Sequence, residues 1–319
     1  MKVLGLADFV DTARFYISDY GFLEGNRKHY KHIFMDEAEA LCLSFEEGII
    51  ADTFQTIFRR YELGNAGAGD VTPGCLWFLV DINQASLFLP KHSPQILKSA
   101  DVTLSKVMRS TATIYRLFKQ FYDDPIPRLP PAFKQRTYAS IRELSIGHDV
   151  EGPPVYWADT GTHSSVLDAL VAVIVDLCSA KGVQPNDLCV MPFLVNEVTA
   201  AHAINDAIKG LFAEGSFMPQ ALSNVESFVL TDQPCHFVTP WILRVKGLEF
   251  KAVVVVIEDD DFDIADAEDR RKMYIMASRC TCLLVMVSSA DVRRTVDSAG
   301  VTREYQFSGS LFLEHQVTA

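Results

Sequence analysis

The sequence predicts an α/β fold built on parallel sheet and arranged in two units, and three features predict it. After Gly152, β-rich runs alternate with helical segments, the order that right-handed βαβ crossovers impose. The runs Cys75 to Val80 and Leu283 to Val287 are short and apolar and read as buried strands. A length of 319 residues at 49% hydrophobic composition supports a large core and, by length alone, about two domains.

Taken in order, residues 7 to 20 carry Phe9, Val10, Ala13, Phe15 and Tyr16 at helical spacing and predict a first helix. A short strand then ends at Met35, followed by Asp36 and Glu37. Gly64 to Asp70 is a small-residue loop without the following Lys-Ser/Thr of a phosphate cradle, and reads as a connector. The strand Cys75 to Val80 leads to Gln84. The boundary falls near residues 90 to 102, dividing the chain into 1–95 and 96–319.

In the second unit, Val102 to Val107 reads as a strand, and Arg109-Ser110-Thr111 opens a helix from Ala112 to about Tyr122, ended by the proline-rich stretch Pro125 to Pro131. Beyond Gly152-Pro153-Pro154 the predicted order is strand Val155 to Trp157, helix Ser164 to Ala180, strand Leu188 to Leu194 and helix Glu197 to Phe212. Strands at Phe228 to Leu230 and Phe250 to Ile257 follow, then a helix from Asp269 and the strand Leu283 to Val287. Glu258 to Asp263 is an acidic loop, its carboxylates contiguous rather than spaced for a metal cage.

Composition narrows the function. With 29 basic against 41 acidic residues the net charge is −12, which excludes a sequence-blind cationic coat for nucleic acid and leaves only a local patch. Between Arg116 and Arg142 six basic residues outweigh two acidic ones, with Tyr115, Phe118, Phe121, Tyr122, Phe133 and Tyr138 interleaved; a helix face with a docked linker explains the stretch as well as a binding surface does. Seven cysteines, several in apolar runs (Cys75, Cys178, Cys189), lack paired zinc spacing and read as free thiols of a reducing compartment. The first apolar run is broken at Asp8, and Ala169 to Val175 and Ala252 to Ile257 fall short of the ~20 residues that span a bilayer, so a soluble intracellular protein, cytoplasmic or nuclear, is expected.

Two constellations carry chemistry. Asp36 and Glu37, at a strand end, suit divalent magnesium together with activation of a water; the same pair also suits a helix start, where acids favour the dipole. The helix Asp269 to Cys280 delivers Arg279 to the strand-end face of the sheet, where a planar guanidinium can meet phosphate oxygens. Alternatively its arginines pair with Asp266, Glu268 and Asp269 on a solvated surface.

The order of these elements resembles superfamily 1 helicases of the UvrD/Rep type, from their second motif to their last. Asp36-Glu37-Ala38-Glu39 is similar to the Walker B box, Val80-Asp81-Ile82-Asn83-Gln84 to the Gly-Asp-x-x-Gln motif, and Arg109-Ser110 to the Tyr-Arg-Ser motif. Lys246-Gly247-Leu248-Glu249-Phe250 is similar to the Lys-Gly-Leu-Glu-Phe signature, and Tyr274 to Arg279 to the arginine motif. Leu76 to Gln84 and Gly152 to Trp157 look most like the helicase-like C-terminal region of the longer Schlafen proteins. The resemblance implies two RecA-like parallel-sheet domains, the first incomplete, and an ATPase acting on single-stranded DNA or RNA with ATP and magnesium. It implies that Asp36 holds the metal, Glu37 activates the water, Gln84 senses the terminal phosphate, Arg109 and Arg279 reach across a cleft to that phosphate, and Gly247 and Glu249 lie against the nucleotide, Glu249 on its ribose.

The departures set the alternatives. Residues 1 to 31 contain no Gly-Lys-Ser/Thr loop, Glu39 stands in place of Gln, Val80 in place of Gly, and Trp241 and Leu243 in place of a hydroxyl residue and a His. The run from Arg109 to Lys246 is too short for a large inserted domain. The chain is therefore expected to be the C-terminal part of a helicase-type ATPase whose further N-terminal domain carries the missing loop, inactive as this isolated chain, or else a non-catalytic RecA-like module that binds nucleic acid or protein. An unrelated doubly wound enzyme using Asp36 and Glu37 is the third possibility.

Overall fold

The computed structural model describes residues 32–35, 75–78, 106–122, 145–193, 196–212, 217–245, 247–258, 262–298 and 300–308. The chain divides into two compact units, Met1–Asp101 and Val102–Ala319. In the first, β1 (His32–Met35) and β2 (Cys75–Phe78) pair in parallel, with His32 opposite Cys75 and Met35 opposite Phe78. Outside the described residues lie the expected helix over 7 to 20, Asp36, Glu37, Gln84, the loop Gly64 to Asp70 and most of the basic aromatic stretch after Tyr122.

The second unit runs β3 (Lys106–Val107), α1 (Ala112–Tyr122), β4 (Ser145–Ile146), β5 (Val155–Asp159), α2 (Val166–Val175), β6 (Leu188–Pro192), α3 (Glu197–Ile208), β7 (Gln220–Leu222) and α4 (Val225–Leu230). It continues with β8 (His236–Val238), β9 (Phe250–Val256), α5 (Ala267–Ser278), β10 (Cys280–Ser288), α6 (Ala290–Val296) and β11 (Thr302–Glu304). Seven strands form one all-parallel sheet in the order β11-β5-β10-β9-β6-β8-β7. β3 and β4 make a separate parallel pair of two residues each.

β6, β9 from Ala252 and β10 from Leu284 are buried without a break because both faces are covered there. Side chains alternate between two cores with the period of a strand. On β9, Val253 and Val255 join one cluster while Ala252, Val254 and Val256 join the other. Leu284 and Met286 against Val285 and Val287 repeat the division on β10. The first core is closed by α1 and α5 through Ile114, Leu117, Phe118, Phe121, Met273 and Tyr274, and the second by α2 and α3 through Ala169, Ile174 and Ile204. Each fully buried Val, Leu or Ile here contributes roughly 1.5–3 kcal/mol. Among the described residues no helix is long and apolar enough to cross a membrane.

Helix starts follow side-chain caps: Ser165 on α2, Asn196 on α3, Asp266 on α5 and Ser289 on α6 each accept an amide of the first turn. One expected strand is a helix instead. Phe228 to Leu230 forms the end of α4, because the Asn224 side chain accepts the amides of Glu226 and Ser227 and starts a helical turn that three apolar residues cannot override. The segment read as one helix from Ser164 to Ala180 is α2 followed by a π-turn over Asp176–Ala180.

Candidate functional site

Three sequence-distant segments meet at one edge of the sheet of the second unit. Because β9 and β10 are parallel, they begin on the same side, and Glu249 immediately precedes β9 while Arg279 immediately precedes β10. The Phe250 amide donates to the Arg279 carbonyl at 2.9 Å, and Thr281 Oγ1 donates to the Phe250 carbonyl at 3.2 Å. The Thr111 amide donates to the Thr281 carbonyl at 3.2 Å and so brings the segment of Arg109 to the same edge. This is the amino-terminal edge of the sheet: a residue that ends the helix before a parallel strand stands at that strand's start.

Arg109 Nη1 donates to Glu249 Oε1 in an ion pair whose side chains are 45% and 42% exposed. A pair that open is worth no more than about 1 kcal/mol of stability, so its place at this edge owes little to folding energy. Gly247 sets the approach of Glu249. Its φ is +74°, a left-handed conformation that an L side chain resists.

Arg279 differs from Arg109. It is 1% exposed, among the largest fully buried side chains of the described residues, and its Nη2 donates to Ser278 Oγ at 3.2 Å. Ser278 Oγ donates in turn to the Ile275 carbonyl at 3.0 Å, fixing the end of α5. At the start of α5, Lys272 lies 3.3 Å from Glu268 and 3.4 Å from Asp269. Cys280, next in sequence, is a buried thiol that burial pushes up to about 12, so it is no nucleophile at neutral pH.

Two hydroxyls deepen the site. Ser110 and Thr111 are 1% and 7% exposed, and the oxygens Ser110 Oγ and Thr111 Oγ1 are buried with no hydrogen-bond partner among the described residues. Thr239 Oγ1, at the far end of β8, shares that condition. Buried polar atoms without partners are uncommon and mark places where a structure holds back bonding capacity. None of the three hydroxyls was singled out by its own side chain in the sequence.

The groups open to solvent at this edge, the Arg109 guanidinium and the Glu249 carboxylate, suit an anionic ligand bearing a hydroxyl group. Among the described residues no group of three His, Cys, Asp or Glu side chains is placed to hold a metal. Arg109, Gly247, Glu249 and Arg279 are thus brought to one edge, while Asp36, Glu37 and Gln84 lie outside the described residues.

No family model matches the chain, and no curated protein matches it. Among solved structures it is similar to the C-terminal domain of a possible DNA helicase from Lactobacillus plantarum, at 18% identity over 62% of this chain and 99% of that one, with a TM-score of 0.38. It is also similar to the Hef helicase domain of Pyrococcus furiosus, at 10% identity over 84% of this chain and 74% of that one, with a TM-score of 0.28. The functional reading accordingly rests on the chain's own residues.

Proposed function

We propose that the chain is part of a nucleic-acid-dependent, helicase-type ATPase of RecA-like architecture, related to the UvrD/Rep and Schlafen helicase regions. The observation that carries this reading is the meeting of Arg109, Glu249 and Arg279 at one sheet edge, since these come from three motifs whose order in the sequence resembles that family. Phosphoryl transfer requires positioned charge more than covalent help. Arg109 would meet phosphate oxygens through its fork, and Glu249 would accept a hydrogen bond from a ribose hydroxyl. Arg279 would take a phosphate once its guanidinium is uncovered. Asp36 would hold magnesium, Glu37 would take the proton of the attacking water, and Gln84 would read the terminal phosphate. Magnesium with ATP supplies the electrophilic phosphorus; the residues named here bind, orient and move one proton.

The test is hydrolysis. The 319-residue chain alone is expected to show no ATP hydrolysis above background, with or without single-stranded DNA or RNA, because residues 1 to 31 lack the Gly-Lys-Ser/Thr cradle. The same chain joined to an in-frame upstream segment carrying that cradle should hydrolyse ATP in a magnesium-dependent manner and lose the activity in Glu37→Gln. Hydrolysis that survives Glu37→Gln would overturn the assignment.

A second reading, a RecA-like module that binds nucleic acid or protein without turnover, is favoured by the burial of Arg279 at 1% exposure. It predicts single-strand binding that ATP does not change. Measuring oligonucleotide anisotropy with and without ATP separates the two.

A further inference from the structure

The segment between β4 and β5 is tied to the segment of Arg109 residue by residue. The Gly147 amide donates to the Val107 carbonyl at 2.9 Å, the Ala112 amide to Val150 at 2.9 Å and the Thr113 amide to Glu151 at 3.2 Å. Thr113 Oγ1 adds a bond to the Glu151 carbonyl at 2.9 Å, and Arg116 Nη2 donates to Glu151 Oε2 at 2.8 Å. Gly152, with φ +75°, closes the loop against Thr111 so tightly that a Cβ there would lie 2.4 Å from that side chain. The first amides of α1 are therefore satisfied by this collar, so a contact that fixes the collar to Ser110 acts on the position of Arg109 beside the Thr111–Thr281 bond.

One side chain does so from both ends of its ring. His148 Nδ1 accepts the Val150 amide at 3.1 Å, and Nε2 lies 3.0 Å from the Ser110 carbonyl. Since a backbone amide can only donate and a carbonyl can only accept, the ring must be neutral with its proton on Nε2. We propose that His148 is a positioning residue for Arg109: locked as the Nε2–H tautomer, it clasps the collar to the Ser110 carbonyl and so holds the neighbouring guanidinium against Glu249.

Any part this plays in nucleotide handling rests on the reading given above, but the clasp itself is tested without nucleotide, so failure of either is distinguishable from failure of the other. In the full chain, the ring nitrogen signals of His148 should show Nδ1 bare and Nε2 protonated near neutral pH. Two substitutions then split the ring's roles. His148→Gln keeps a donor at the Nε2 position for Ser110, whereas His148→Asn keeps an acceptor at the Nδ1 position for Val150. If the clasp positions Arg109, the asparagine variant should exchange the Ala112 and Thr113 amides about tenfold faster, the effect of losing one hydrogen bond, with the glutamine variant close to the native chain. The Arg109 Nε–H signal should move in the asparagine variant toward its position in Glu249→Gln, where the ion pair is absent, and stay in place in the glutamine variant. A ring protonated on Nδ1, or an asparagine variant that matches or outperforms the glutamine one, would overturn the proposal.

Discussion

Arg109 and Glu249 are 140 positions apart in the chain and form an ion pair at the amino-terminal edge of the sheet. Both side chains remain open to solvent, so each can exchange its partner for a ligand group at little cost. In a double-mutant cycle, Arg109→Ala and Glu249→Ala should each change the unfolding free energy by no more than about 1 kcal/mol, with a coupling of similar or smaller size. Urea melts of the four proteins measure it.

Arg279 should behave in the opposite way. Its burial at 1% exposure makes Arg279→Ala both a cavity and a lost bond to Ser278, and about 2–4 kcal/mol of stability should go with it. The melting temperature of Arg279→Ala should therefore fall well below that of Arg109→Ala. Equal melting temperatures would show that the Arg279 side chain is not packed as described.

Gly152 is held by conformation and by space together. Gly152→Ala places a Cβ against Thr111 at a φ of +75°, and should cost about 1–3 kcal/mol. The double variant with Thr111→Ala should recover part of the loss, because it removes two of the three side-chain atoms the new Cβ meets, Cγ2 at 2.4 Å and Oγ1 at 2.7 Å; differential scanning of the three variants reads it.

Asp176 gives the fold an acid dependence. Burial raises its carboxyl, but the Tyr305 hydroxyl at 2.7 Å, the Ser308 amide at 2.9 Å and Lys181 at 3.0 Å outweigh burial and hold it below the ordinary value. A carboxyl lowered by folding stabilises the protein above its unfolded value of about 3.9, and the contribution is lost as pH falls through the folded value. Asp176→Asn should therefore lower stability at neutral pH and flatten the stability curve on the acid side of about pH 4. Melts across that range check the sign.

The long elements were legible in the sequence because their patterns are strong. The runs of β6, β9 and β10 are continuous enough to read as buried strands, and α1 carries Ile114, Leu117, Phe118 and Phe121 at helical spacing. What pattern could not supply was tertiary support. Val229 and Leu230 are 66% and 77% exposed in α4, so their apolar character did not signal a buried strand. β7, β8 and β11 have three residues each and are held by their neighbours rather than by any run of their own. At the site, motif order pointed to Arg109, Glu249 and Arg279, but not to the pairing of the first two. The burial of the third follows from its helix: Met273 to Ala277 is an unbroken buried run, which sinks the end of α5 into the core. His148 offered only a pair of flanking glycines, Gly147 and Gly152, as a hint of close backbone approach.

Binding of a fluorescent ATP analogue to the chain joined to an upstream segment carrying the Gly-Lys-Ser/Thr cradle bears most directly on the nucleotide-handling role given to this edge. Arg109→Ala should weaken that binding about tenfold or more, the loss of one charge-assisted hydrogen bond, while the melt stays near native. Unchanged affinity in Arg109→Ala and Glu249→Ala, with both proteins folded, would contradict it.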